Sequence, residues 1–204
     1  MTASKQPREL SAIVLAAGGS SRYGHCKQLI EIDGTSLVRL AVAKLSPLFF
    51  HDRINVVVGA NSEAVTQAVS DLPVNVVHNE YWQTGLASSL KAGINSLEPG
   101  CRAVMATLCD QALVTGDHLR QLLDQWLADP SEITASGYAG TIGTPAIIPA
   151  EFYPQVLALE GDAGAKSILK SNPDRVRTIA IPEAEFDLDV PADLEKLKKK
   201  FGTC

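Results

Sequence analysis

Ser11-Ala12-Ile13-Val14-Leu15-Ala16 runs without a break into Ala17-Gly18-Gly19-Ser20-Ser21-Arg22-Tyr23-Gly24-His25-Cys26-Lys27-Gln28-Leu29. The first six residues are a nearly continuous apolar run, the pattern of a parallel strand covered on both faces. Gly18, Gly19 and Gly24 then allow positive φ and close backbone approach, so amide groups can turn toward phosphate oxygens. Arg22 and Lys27 add fixed positive charge a few residues on. A Walker A loop needs Gly-Lys-Ser/Thr, but His25 and Cys26 follow Gly24; the dinucleotide pattern G-x-G-x-x-G is missing as well. A tight turn carrying two solvated cations remains the alternative reading of the loop.

The strand–loop opening is repeated outward along the chain. Strands are predicted over 11–16, 54–58, 74–78 and 103–108, with helices over 35–45, 62–70, 86–97 and 115–128. Such repeated units imply right-handed crossovers and an α/β fold, doubly wound around a mostly parallel sheet. Strands over 133–136 and 145–148 then flank a Gly-rich turn over 137–143. Helices follow over 151–159 and 163–171, a last strand over 176–181, and a closing helix over 192–201. Lys198, Lys199 and Lys200 suit the C-terminal end of that helix. No repeat or linker intervenes, so the 204 residues read as one domain with a flexible stretch over 1–9. In such a sheet ligands bind at the carboxyl ends of the strands. The loops to inspect begin at Ala17, Gly59, Asn79, Cys109 and Phe186.

Composition narrows the function classes. Net charge is −5, so no general attraction to nucleic acid is expected and a polyanion must be met by a local cationic cluster. No apolar run approaches a membrane span, and no signal peptide is read. Cys26, Cys101, Cys109 and Cys204 show no zinc spacing, nor do His51, His78 and His118. Reduced thiols and a cytoplasmic location are the expectation.

Asp110 directly follows the strand over 103–108, at the carboxyl edge of the sheet. Asp187 and Asp189, two apart, point to one side if extended. Magnesium takes hard oxygens, usually one or two carboxylates together with phosphates and water, so Asp110 with either of that pair forms a candidate metal site. Asp110 could instead stabilise a helix N-terminus, and the pair could form a solvated turn before Pro191. Ser88 and Ser89 open a helix whose N-terminus favours anions, or merely cap it. Trp82 reads as a packing residue, and Asp162, between two glycines, as serving a turn or an acceptor pocket.

Here the residues carry a resemblance. Leu15-Ala-Ala-Gly-(x)3-Arg22-x-Gly24-(x)2-Lys27-Gln28-Leu29 resembles the signature loop of nucleotidyltransferases, most closely the molybdenum cofactor cytidylyltransferases. The segment Asn79 to Gly93, Cys109-Asp110-Gln111, Gly143-Thr144-Pro145, Gly161-Asp162-Ala163-Gly164-Ala165 and Asp187-Leu188-Asp189-Val190-Pro191 follow in that family's order. Three departures stand out: Cys26 and Ala112 where proline is usual, and Val190 for threonine. None removes a group the chemistry needs.

The resemblance implies a GT-A-like, Rossmann-like fold and Mg2+-dependent transfer of CMP from CTP to molybdopterin, with pyrophosphate released. Arg22, Lys27 and Asp110 would be catalytic. The nucleotide would meet Leu15, Ala16, Ala17, Gly18, Gly19, Arg22, Lys27, Asn79, Ser88, Ser89 and Gly93. The metal would sit on Asp110 with Asp189, or Asp187 as the near alternative, and residues 137–175 would form the acceptor side. Transient contact with a molybdenum dehydrogenase or its chaperone is implied; nucleic acid and membrane are not. Ala16-Ala17-Gly18 and Asp110-Gln111 resemble the cytidylyl pattern more than the guanylyl one. Guanylyl transfer, transfer to a sugar or polyol phosphate, and a non-catalytic carrier of the molybdenum cofactor stay open.

Overall fold

In the computed structural model, which describes residues 7–20 and 23–201, every residue of strand β1 (Leu10–Ala16) is buried. Its side chains alternate between two apolar layers, Leu10, Ala12, Val14 and Ala16 into one and Ile13 and Leu15 into the other. This period of two with no polar face is what a central strand covered by helices on both sides requires.

A small hairpin, β2 (Glu31–Ile32) and β3 (Thr35–Ser36), leads into α1 (Leu37–Leu45). Then come β4 (Ile54–Val58), α2 (Ser62–Val69), β5 (Asn75–His78), α3 (Leu86–Asn95), β6 (Ala103–Leu108) and α4 (Gly116–Ala128). The second half holds β7 (Ile133–Tyr138), β8 (Thr141–Pro149), α5 (Tyr153–Leu157), α6 (Ala165–Ser171), β9 (Val176–Ala180) and α7 (Pro191–Phe201). Among the described residues the main sheet has seven strands in the order β5-β4-β1-β6-β8-β7-β9. Every strand but β8 runs the same way. Helices α1, α2 and α4 pack on one face; α3, α5 and α6 pack on the other. The expected doubly wound, mostly parallel α/β architecture is present. No helix among the described residues is long and apolar enough to cross a membrane.

Several boundaries differ from the sequence reading, each for a local reason. The helix expected from Thr35 starts at Leu37, because Asp33 and Gly34 adopt φ values of 50° and 75°. Two successive positive φ values close a tight hairpin, which draws Thr35 and Ser36 into β3. The helix expected over 151–159 shortens to α5 behind a 3-10 turn, Ala150–Phe152. Pro154 lacks an N–H and is tolerated only in a first turn. The turn expected over 137–143 is tighter, with Ala139 and Gly140 at its tip, both at positive φ.

The chain leaves β1 for β4 and β5 on one side and returns to β6 on the other. The order therefore reverses at β1, and the loops after β1 and β6 diverge above a crevice at the carboxyl edge.

Candidate active site

The loop after β1 is held in shape by side chains that the loop itself supplies. Gln28 is fully buried and donates through Nε2 to Gly18 O at 2.7 Å. Ser20, at φ 53°, accepts from Lys27 N at 3.1 Å through its hydroxyl. Its carbonyl accepts from Tyr23 N and Gly24 N at 2.9 and 3.1 Å. The loop thus folds back on itself and returns Lys27 to the mouth of β1. Cys26 donates its thiol to Gln28 Oε1 at 3.1 Å.

Above this loop lies a cavity of about 450 Å3 whose lining includes Leu15, Ala17, Gly18, Gly19, Lys27 and Asp110. Lys27 Nζ donates to Asp110 Oδ2 at 2.5 Å and to Asp189 Oδ1 at 3.3 Å. Burial would lower the pKa of this ammonium, but the charge and hydrogen bond of Asp110, joined by Asp189, raise it overall. Lys27 therefore stays charged at any physiological pH.

Asp110 sits in the turn after β6, and its carbonyl accepts from Ala112 N at 2.9 Å and Leu188 N at 3.2 Å. The second of these bonds brings the Asp187–Asp189 segment against the β6 loop although the two are far apart in sequence. Gln111 fixes the same junction by donating to Ala184 O at 2.8 Å and Thr144 O at 3.1 Å. Desolvation, and then the charges of Asp110 and Asp189, push the Asp187 carboxyl up to about 6.

These groups suit a hard divalent cation. Asp110 Oδ1 is buried without a hydrogen-bond partner, and the charges of Asp110 and Asp189, which add to burial in raising Asp187, are what a cation would relieve. Among the described residues no cluster of three or more His, Cys, Asp or Glu is placed to hold a metal alone. Phosphate oxygens and water would have to complete the shell, the usual arrangement for magnesium.

The second wall comes from the segment before α3. Trp82, Gly85 and Ser89 line the cavity. Trp82 packs so closely on the loop that a Cβ on Gly19 would lie 3.0 Å from its ring, and one on Gly59 2.6 Å from its Cβ. Gly85, at φ 107°, abuts the backbone of Gly161. Ala87 N donates to Gly161 O at 3.0 Å. That contact brings Asp162 onto the lining.

Not every residue named from sequence reaches this cavity. Leu15, Ala17, Gly18, Gly19, Lys27, Ser89 and Asp110 line it, and Asp189 joins them through Lys27. Ala16 is buried in β1. Asn79 is buried and donates to Ser88 Oγ at 2.8 Å and Ser89 Oγ at 3.0 Å, fastening the start of α3. Asn79 and Ser88 line a neighbouring groove instead. Gly93 lies against Ile13 of β1, where a Cβ would come within 2.6 Å of Ile13 Cδ1; its place is helix-to-sheet packing. Arg22 lies outside the described residues. Sequence reasoning overlooked the structural part of Gln28 and the cavity positions of Trp82, Gly85 and Leu86. The Lys-Gln-Leu and Trp-Gln-Thr-Gly-Leu runs within the quoted motifs were the available signals.

The family model for the MobA-like NTP transferase domain matches residues 12–176. It takes in the glycine-rich loop, α3 and Asp110, while Asp187 and Asp189 lie beyond it. The chain is 28% identical over 190 residues to the nicotine blue oxidoreductase of Paenarthrobacter nicotinovorans, covering 89% of this chain and 91% of that protein. It is 25% identical over 209 residues to the purine catabolism protein PucB of Bacillus subtilis strain 168, covering 95% and 98%. The solved structure of Rv0371c from Mycobacterium tuberculosis H37Rv matches with a TM-score of 0.80 at 26% identity, over 93% of this chain and 97% of that one. Rv0371c also has a structure in complex with manganese, which matches with a TM-score of 0.76 at 24% identity, over 93% of this chain and 98% of that one. The first relative is named for a redox activity, so function must be argued from the site and not the fold. The chain belongs to the MobA-like NTP transferase family, and it is a nucleotidyltransferase.

Proposed function

We propose that the enzyme transfers CMP from CTP to the phosphate of a molybdopterin-type acceptor in a Mg2+-dependent reaction. The observation that carries this reading is the Lys27 ammonium held by Asp110 and Asp189 at the edge of the cavity above the glycine-rich loop. An acceptor phosphate oxygen attacks the α-phosphorus, the bond to the bridging oxygen breaks, and pyrophosphate leaves with the electron pair. Two anions must meet, so positioning and charge compensation dominate the chemistry.

Lys27 offsets charge on the departing pyrophosphate, and Arg22 does so from the loop. The glycine-rich backbone approaches the phosphates closely, and Ser89 at the start of α3 orients the nucleotide. Asp110 and Asp189, with Asp187 as the alternative, would hold Mg2+, which when bound supplies charge neutralisation across the phosphates. The manganese complex of Rv0371c supports a divalent ion. Residues 137–175 form the acceptor side, where Asp162 faces the cavity. The preference for CTP rests on the likeness of Ala16-Ala17-Gly18 and Asp110-Gln111 to the cytidylyl pattern. The reaction belongs in this reading to the cytoplasm, from where the product passes to a molybdenum dehydrogenase or its chaperone.

Pyrophosphate release, measured with molybdopterin and CTP, GTP or ATP in turn, with and without Mg2+, tests the reading. Release is expected from CTP and only with the metal. A clear preference for GTP would overturn the base assignment. No pyrophosphate from any nucleotide would overturn the transfer to molybdopterin itself.

A further inference from the structure

We propose that Lys44, in the last turn of α1, is a positioning residue that holds the Asp110-Gln111-Ala112 turn in the shape that presents Asp110 to metal and nucleotide. The inference rests on the role given to Asp110 above. Lys44 Nζ donates to Ala112 O at 3.0 Å and reaches Gln111 O at 3.5 Å. Its backbone meets the far end of the same segment: a Cβ on Gly116, the first residue of α4, would lie 3.5 Å from Lys44 O. One residue therefore meets the link between β6 and α4 both at its middle and at its α4 end. Lys44 lines a separate small space with Thr107, Val114, Leu119 and Pro145, not the nucleotide cavity. It acts on the site only through the turn.

The placement is costly. Burial among these mostly apolar neighbours lowers the Lys44 pKa to about 8. A methionine would fill the same volume without that cost, so what distinguishes the lysine is its set of N–H donors. The turn has a use for them. A proline at position 112 would stiffen the backbone by fixing φ. Ala112 leaves that torsion free, and two hydrogen bonds hold it instead: Ala112 N to Asp110 O at 2.9 Å and Lys44 to Ala112 O. The first bond shares its acceptor with Leu188 N, so a slack turn would also loosen the Asp187–Asp189 segment. Asp110 and Asp189 would then no longer be held together.

The test measures Mn2+ binding in the presence of CTP by electron paramagnetic resonance, on wild type, Lys44→Met and Lys44→Gln. Lys44→Met is expected to weaken Mn2+ binding at least tenfold, with CTP affinity measured without metal within twofold of wild type and a thermal midpoint no lower. Lys44→Gln keeps an N–H donor and should recover part of the loss. Turnover should fall through kcat more than through the KM for CTP. Wild-type Mn2+ affinity in Lys44→Met, or a loss of affinity that merely follows a loss of thermal stability, would overturn the positioning role. A wild-type protein that binds no Mn2+ would instead remove the metal reading of Asp110, and this role with it.

Discussion

Lys27 is the residue on which the two halves of the site converge. It leaves the glycine-rich loop, yet its ammonium is claimed by carboxylates from the β6 turn and from the segment before α7. On the proposed reading, Lys27→Met removes a preorganised charge aimed at the departing phosphates, an effect on the order of 100- to 1,000-fold in kcat. Pyrophosphate release should fall by that much while far-ultraviolet circular dichroism stays unchanged, and Lys27→Arg should not restore it because the planar fork does not fit a point-charge site. Trp82 offers a reporter at the same scale. The chain has two tryptophans; Trp126 is buried in the opposite helix layer, whereas Trp82 lines the cavity. Intrinsic fluorescence should change on adding CTP, persist in Trp126→Phe and vanish in Trp82→Phe. A signal that survives in Trp82→Phe would place the nucleotide elsewhere.

Helix α3 shows how one element serves packing and site at opposite ends. At Gly93 a methyl group would press on Ile13, an overpacking that costs about 1–3 kcal/mol. At Gly85 a Cβ would strike the Gly161 backbone and must also adopt φ 107°, a strain of similar size. The two substitutions should differ in function. Gly93→Ala should lower the urea midpoint with the KM for CTP unchanged, while Gly85→Ala should lower the midpoint and raise that KM severalfold, since it displaces the cavity wall. Equal KM values in the two variants would contradict this division of α3. The division was not legible in the sequence, where Gly93 read as a nucleotide contact because it closes the motif beginning at Asn79. Apolar periodicity reported β1, β4 and β6 well, since a strand buried on both faces has no polar side to confuse the pattern. It failed at Thr35 and Glu151, where a turn and a proline, not hydrophobicity, set the boundary. The cavity position of Asp110 was legible from its place after a strand. The joint between Asp110 O and Leu188 N, a backbone bond between distant segments, leaves no trace in composition or spacing.

At the scale of the whole molecule, the site's demands show as a stability that depends on pH. Lys44 has a folded pKa near 8 against an ordinary 10.5, so between these values the unfolded chain binds more protons than the folded one. Stability therefore rises with pH through that window, and below it the full penalty for burying the charge remains. The difference corresponds to roughly 3 kcal/mol, a sizeable share of the total for a protein of this size. Lys44→Met removes the buried charge but also the donor to Ala112 O, which costs back about 1–3 kcal/mol. At neutral pH the variant should therefore match or exceed wild type in urea denaturation. Its advantage should shrink steadily from about pH 8 to 10.5 as the wild-type lysine loses its proton. A constant difference across that range would mean that Lys44 folds without a perturbed charge. A shrinking one, alongside weakened Mn2+ binding in the same variant, would show a buried lysine that costs stability while holding the turn the metal needs, the kind of trade that functional sites impose on otherwise well-packed proteins.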